Sequence, residues 1–169
     1  MRDHGHGTST DGRRCRAGCL AGESLIETVD GPLAIATLVG KSMPVLTRLP
    51  GHRLGFRLMT KIACTATAVP VVRVTFDNGQ HVVVDRAHVF YARDKVERPV
   101  EVLREGDLLD TSFHFPPGYE FRRMDGATEV SVGGVRVLAI ESAGVADVFT
   151  GLVNETACYF ATAGVLCRA

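Results

Sequence analysis

From Cys19 onward, apolar residues fall in short runs rich in Val, Ile and aromatics, and turn residues break each run before a helical period can develop. This pattern predicts strands. Leu25-Ile26-Glu27-Thr28-Val29 and Leu33-Ala34-Ile35, separated by a turn at Asp30-Gly31-Pro32, predict a first hairpin. A second joins Val71-Val72-Arg73-Val74-Thr75-Phe76 to His81-Val82-Val83-Val84 through Asp77-Asn78-Gly79, where Asn-Gly supplies the positive φ angles of a tight turn. His88 lies just beyond the second strand of that pair. Residues 130–140 and 148–153 predict two further strands, and Pro99 to Arg104 a single helical turn stopped at Gly106. Helix is scarce throughout, so the expected fold class is all-β. Residues 111–128 include Phe113-His114-Phe115-Pro116-Pro117-Gly118-Tyr119-Glu120-Phe121 and predict a long surface loop.

Composition narrows the picture. A length of 169 residues with 46% hydrophobic content supports one core. Residues 1–18 hold four glycines, four arginines and almost no large apolar side chain. They predict a flexible flank, leaving residues 19–169 as the domain. Nineteen basic residues balance nineteen acidic ones, so no net field draws the chain to nucleic acid or to an anionic membrane, and neither is expected as a partner. No apolar stretch is long enough to span a bilayer, and Met1-Arg2-Asp3-His4-Gly5-His6 lacks the apolar core of a signal peptide, which predicts a cytoplasmic monomer. Cysteines at 15, 19, 64, 158 and 167 are odd in number and not closely paired, against both a disulfide scaffold and a four-thiolate zinc site. No metal or organic cofactor is implied. His4-Gly5-His6-Gly7-Thr8 is superficially similar to a subtilisin-like histidine motif, but so short a flank cannot house that fold.

Four segments, in order, resemble the Hint superfamily of inteins, bacterial intein-like domains and hedgehog autoprocessing domains. Cys19-Leu20-Ala21-Gly22-Glu23-Ser24 with Gly31 is similar to the first splicing block. Phe76-Asp77-Asn78-Gly79 through Asp85-Arg86-Ala87-His88-Val89-Phe90 resembles the second, and residues 102–109 the stretch that follows it. Residues 137–141 through Val148-Phe149, and Tyr159-Phe160-Ala161 with Gly164-Val165-Leu166, resemble the two C-terminal blocks. The resemblance spans residues 19–169 and implies a horseshoe of long curved antiparallel strands. It leaves no room for a homing-endonuclease insertion.

The resemblance also implies chemistry at Gly18-Cys19. The Cys19 thiol would attack the Gly18 carbonyl through a five-membered ring, convert the amide to a thioester, and pass the acyl group to water, a thiol or an amine. The partner is the protein's own flanking polypeptide. His88 would protonate the departing amine, as the histidine of the second block does in the family. Asp85 stands where the family usually has threonine, and would orient the site. Cys158 is a candidate second thiol beside the C-terminal block. Each has a plainer alternative: a core cysteine for Cys19 and Cys158, a hydrogen-bonded strand-end histidine for His88, a solvent-facing turn aspartate for Asp85.

Two further departures bear on the C-terminal junction. Thr150 stands where an aspartate is common; it offers a hydroxyl but no carboxylate. Arg168-Ala169 occupies the place of a histidine followed by an asparagine. Arg168 is either an oxyanion partner or a solvated terminal charge, and the methyl group of Ala169 cannot attack its own carbonyl to form a succinimide. The expected activity is therefore N-terminal acyl transfer with C-terminal cleavage impaired. One alternative is a splicing intein whose terminal asparagine has been replaced by Ala169. Another is a catalytically silent Hint-like binding module.

Overall fold

Two strands much longer than the sequence pattern predicts organise the molecule. The computed structural model describes residues 18–169, and the expected flank up to Ala17 lies outside them. Strands are β1 (Leu20–Ala21), β2 (Leu25–Thr28), β3 (Gly31–Ala34), β4 (Met43–Arg48), β5 (Leu54–Phe76), β6 (His81–Asp85), β7 (Val89–Ala92) and β8 (Val96–Pro99). They continue as β9 (Leu108–Leu109), β10 (Glu120–Arg122), β11 (Thr128–Val130), β12 (Val135–Val153), β13 (Cys158–Ala161) and β14 (Val165–Arg168). Among the described residues the only helical elements are short 3-10 turns, one of them at Val100–Val102 inside the predicted helical turn. The all-β expectation holds.

Twelve strands form one antiparallel sheet in the order β8-β7-β14-β13-β2-β4-β5-β6-β1-β12-β9, with β3 on β2. β5 and β12 also pair directly along almost their whole length, from Val137↔Phe76 to Val153↔Met59. Because β6 and β1 bridge the same two strands, the sheet closes on itself at that point, and β1 is clamped between β6 and β12. Five register shifts interrupt the β5–β12 ladder, and each bulge bends and twists the strands. Long strands curve in this way.

Two sequence expectations change. Residues 130–140 and 148–153 are not separate strands, since β12 runs unbroken from Val135 to Val153. Its middle, Glu141-Ser142-Ala143-Gly144-Val145-Ala146-Asp147, is small and polar and pairs with the equally exposed middle of β5, so neither shows the alternation that marks a half-buried strand. Inside the predicted loop, β10 pairs with β11 in a small separate hairpin, and Phe115 stacks on Tyr119 and Phe121 at ring separations of 4.8 and 5.0 Å. Local ring stacking supplies there what periodicity does not.

The main core gathers Leu20, Ile26, Ile35, Val45, Met59, Phe76, Val84, Phe90, Leu109 and Val165, drawn from almost every strand of the large sheet. β6 is buried on both faces from Val82 to Asp85. That strand therefore delivers its last residue, Asp85, into the interior.

Candidate active site at the start of the first strand

β1 is only two residues long, yet its position is fixed from both sides: Leu20 pairs with Val84 of β6 and with Phe149 of β12. This clamp carries Cys19 into a fully buried position among Ala21, Val71, Val83 and Val148. Its carbonyl accepts the Asp85 N–H at 3.0 Å, and its own N–H donates to Asp85 Oδ1 at 3.1 Å. The nitrogen of the Gly18-Cys19 peptide is thus held by a carboxylate 66 residues away. Cys19 Sγ lies 3.1 Å from Thr65 Oγ1, while that hydroxyl donates to the Val148 carbonyl at 3.2 Å. Either group can be the donor in the Cys19–Thr65 contact. The thiol also hydrogen-bonds the Asp85 side chain.

Asp85 is buried and accepts from more than Cys19. The backbone N–H groups of Ala87 and His88 also point at its carboxylate, which favours the ionised form. Burial is the larger effect and raises its pKa above the ordinary aspartate value. The carboxylate is thus less acidic than a surface one while staying surrounded by donors.

His88 follows on the same turn, its N–H donating to the Asp85 carbonyl at 3.3 Å and its carbonyl accepting from Val100 at 2.9 Å. Its ring is completely buried, edge-on to Phe90 with centroids 4.7 Å apart. Neither ring nitrogen has a hydrogen-bond partner among the described residues. Burial lowers its pKa to about 3, so at neutral pH the imidazole is uncharged, with one N–H and one lone pair. Gly18 rests on the backbone of this residue. A Cβ there would overlap His88 Cα and come within 2.7 Å of His88 N and 2.9 Å of the Ala87 oxygen, and φ at Gly18 is +60°.

No protein-family model matches the chain, and neither does the sequence of any curated protein. Solved structures do. A variant of the Ssp DnaB mini-intein superposes with a TM-score of 0.71 at 16% identity, covering 90% of this chain and 95% of that one. The DnaB intein from Synechocystis sp. PCC 6803 gives 0.67 at 16%, covering 90% and 99%. The bacterial intein-like domain from Clostridium thermocellum gives 0.66 at 17%, again covering 90% and 99%. The chain carries the Hint fold of inteins.

Within this Hint fold, Cys19, Asp85, His88 and Gly18 come together at one point. Thr150 is close by in the ladder: it follows Phe149, the partner of Leu20, and is half-buried opposite Ala63. Cys158 belongs to a different cluster, with Phe160 and Leu166, and its Sγ lies 3.4 Å from Thr47 Oγ1. Arg168 reaches Glu97 at 3.3 Å on the exposed side of β14, and the Ala169 N–H donates to the Ala157 carbonyl at 2.9 Å. Thr65 was not foreseen from the sequence. It lies in the Cys64-Thr65-Ala66-Thr67 stretch of β5, whose polar and small residues carry no periodic signal; only the β5–β12 register brings its hydroxyl to Cys19. No group of three or more His, Cys, Asp or Glu side chains suited to a metal ion occurs among the described residues. No described helix is long and apolar enough to cross a membrane.

Proposed function

We propose that this chain is an autoprocessing domain that cleaves at Gly18-Cys19 through an N-to-S acyl shift. Cys19 is the nucleophile. Its thiol attacks the Gly18 carbonyl, the C–N bond breaks, and the upstream polypeptide is left as a thioester open to water, a thiol or an amine. One observation carries the reading: the thiol and the amide nitrogen of a single buried residue, Cys19, both meet the buried Asp85 carboxylate. Nothing in a merely structural cysteine calls for a carboxylate on its amide.

The other residues fit around that chemistry. Thr65 orients the thiol, and the His88 backbone packs against Gly18 at the scissile peptide. Gly18 gives the attacking sulfur an unobstructed carbonyl. The substrate is the domain's own flanking polypeptide.

The test is intact mass of a reporter fused upstream of Met1, incubated at neutral pH with and without a small thiol, beside Cys19→Ala. Thiol-dependent release of a fragment ending at Gly18, lost in Cys19→Ala, is the expected result. Equal behaviour of the two proteins would move the domain to the silent, binding class.

A further inference from the structure

Acyl shift at Gly18-Cys19 needs one proton removed from sulfur and one delivered to nitrogen. In an N-to-S shift both atoms belong to the same residue, so a single group touching both can do both tasks. We propose that Asp85 is that group, carrying the Cys19 thiol proton to the Cys19 amide nitrogen, and that the imidazole of His88 is not the proton carrier. The inference rests on the acyl-transfer reading above.

The geometry states the route. Asp85 Oδ1 is 3.1 Å from Cys19 N, and the same side chain accepts a hydrogen bond from the Cys19 thiol. The His88 backbone N–H donates to the Asp85 carbonyl, whereas its ring is packed on Phe90 with no hydrogen-bond partner among the described residues. Thr65 cannot substitute, because a hydroxyl takes no proton from a thiol at neutral pH and its contact with Cys19 is at sulfur.

The step balances without any outside reagent. As sulfur bonds to the Gly18 carbonyl carbon, its proton passes to the Asp85 carboxylate and the carbonyl oxygen takes the negative charge. The new tetrahedral centre leaves nitrogen sp³ and basic. Asp85 returns the proton to that nitrogen, the C–N bond breaks, the oxygen regains its double bond, and Asp85 ends as it began. Proton transfer of this kind is favoured when the carrier is not too strong an acid, and burial moves Asp85 in that direction. Threonine, the usual residue at this position in the resemblance, could hold the amide by a hydrogen bond but could not take a proton from a thiol at neutral pH.

Asp85→Asn separates holding from carrying, since the amide keeps an oxygen to accept the Cys19 N–H and cannot shuttle a proton. In the upstream-reporter assay with thiol, Asp85→Asn should release at least ~100-fold more slowly than wild type. Asp85→Ala should be equally slow and should be accelerated in proportion to added formate, a rescue that loss of a structural contact does not give. Wild-type speed in Asp85→Asn, or a slow Asp85→Ala that formate does not accelerate, overturns the inference while leaving the acyl-transfer reading standing. Absence of thiol-dependent release from the wild-type protein itself overturns the reading, and the inference with it.

Discussion

Gly18 is the residue whose chemistry is least replaceable by size or charge, because two separate constraints meet on it. Its φ of +60° disfavours any L side chain by about 1–2 kcal/mol, and a Cβ would in addition overlap the His88 backbone, which cannot swing aside as a side-chain tip would. In the proposed reaction the carbonyl attacked by Cys19 belongs to this residue, so displacement of Gly18 would displace the electrophile. Gly18→Ala should slow thiol-induced release by roughly 100-fold, the usual loss for an error of about 1 Å in reacting geometry. The release rate measured by mass, with Cys19 alkylation as a check that the thiol is still intact, decides it; an unchanged rate would show that the chain shifts away from His88 freely. Proximity to the proposed nucleophile was readable from Gly18-Cys19 in the sequence. The overlap with His88 was not, since 70 residues and a whole hairpin separate the two.

At the scale of elements, the β5–β12 ribbon depends on its bulges. A register slip by one residue turns every side chain to the other face, so the five shifts along this ladder decide which residues of two long strands face β1. One shift lies between Ser142 and Val145, around Gly144, which has φ of +78° and nothing near the place a Cβ would occupy. Its requirement is therefore purely one of backbone conformation. Gly144→Ala should cost about 1–2 kcal/mol in urea unfolding without altering the rate of N-terminal cleavage, because the bulge can persist at that cost. A drop in cleavage matching the loss of stability would mean that this bulge sets the register at Cys19. Bulges also explain why the middle of β12 resisted sequence reading. Alternation is broken at each one, and Glu141 to Asp147 offers neither a buried face nor an apolar run to replace it.

Across the whole molecule, the segment after β9 is tied to β4 and β13 by one buried ion pair. Arg48 Nε and Nη2 donate to Asp110 at 3.1 and 2.7 Å; Nη2 also donates to the Thr111 carbonyl, and the guanidinium lies 5.2 Å from the centre of the Phe160 ring. Desolvation makes such a pair a poor source of net stability but a costly one to break. Asp110→Ala should lower stability by about 3–5 kcal/mol, through the uncompensated Arg48 charge, and Arg48→Met in the same chain should recover a good part of it. Equal denaturation midpoints for the single and double variants would mean that the stranded charge finds water or another partner. The pair joins parts of the chain 62 residues apart, and neither Arg48 nor Asp110 stands out in the sequence.

Local rules carried the sequence a long way. Asn78-Gly79 and Asp30-Gly31 specify turns from within, runs such as Val71 to Phe76 specify strands, and the absence of a 3.6-residue period excludes helices; each effect acts over a few residues and is read where it is written. They determined the all-β class, two of the hairpins, and the placement of His88 just beyond β6. The tertiary structure alone decided that Asp85 holds the Cys19 amide, that Thr65 meets its thiol, and that the His88 ring is stripped of water and left neutral. Those contacts join residues 66 and 46 positions apart in the first two cases, and their geometry follows from strand register, bulges and the closure of β1 between β6 and β12. Burial is likewise a property of the assembled sheet: the same histidine at the same strand end would be charged below its ordinary pKa, near neutrality, if no core closed over it.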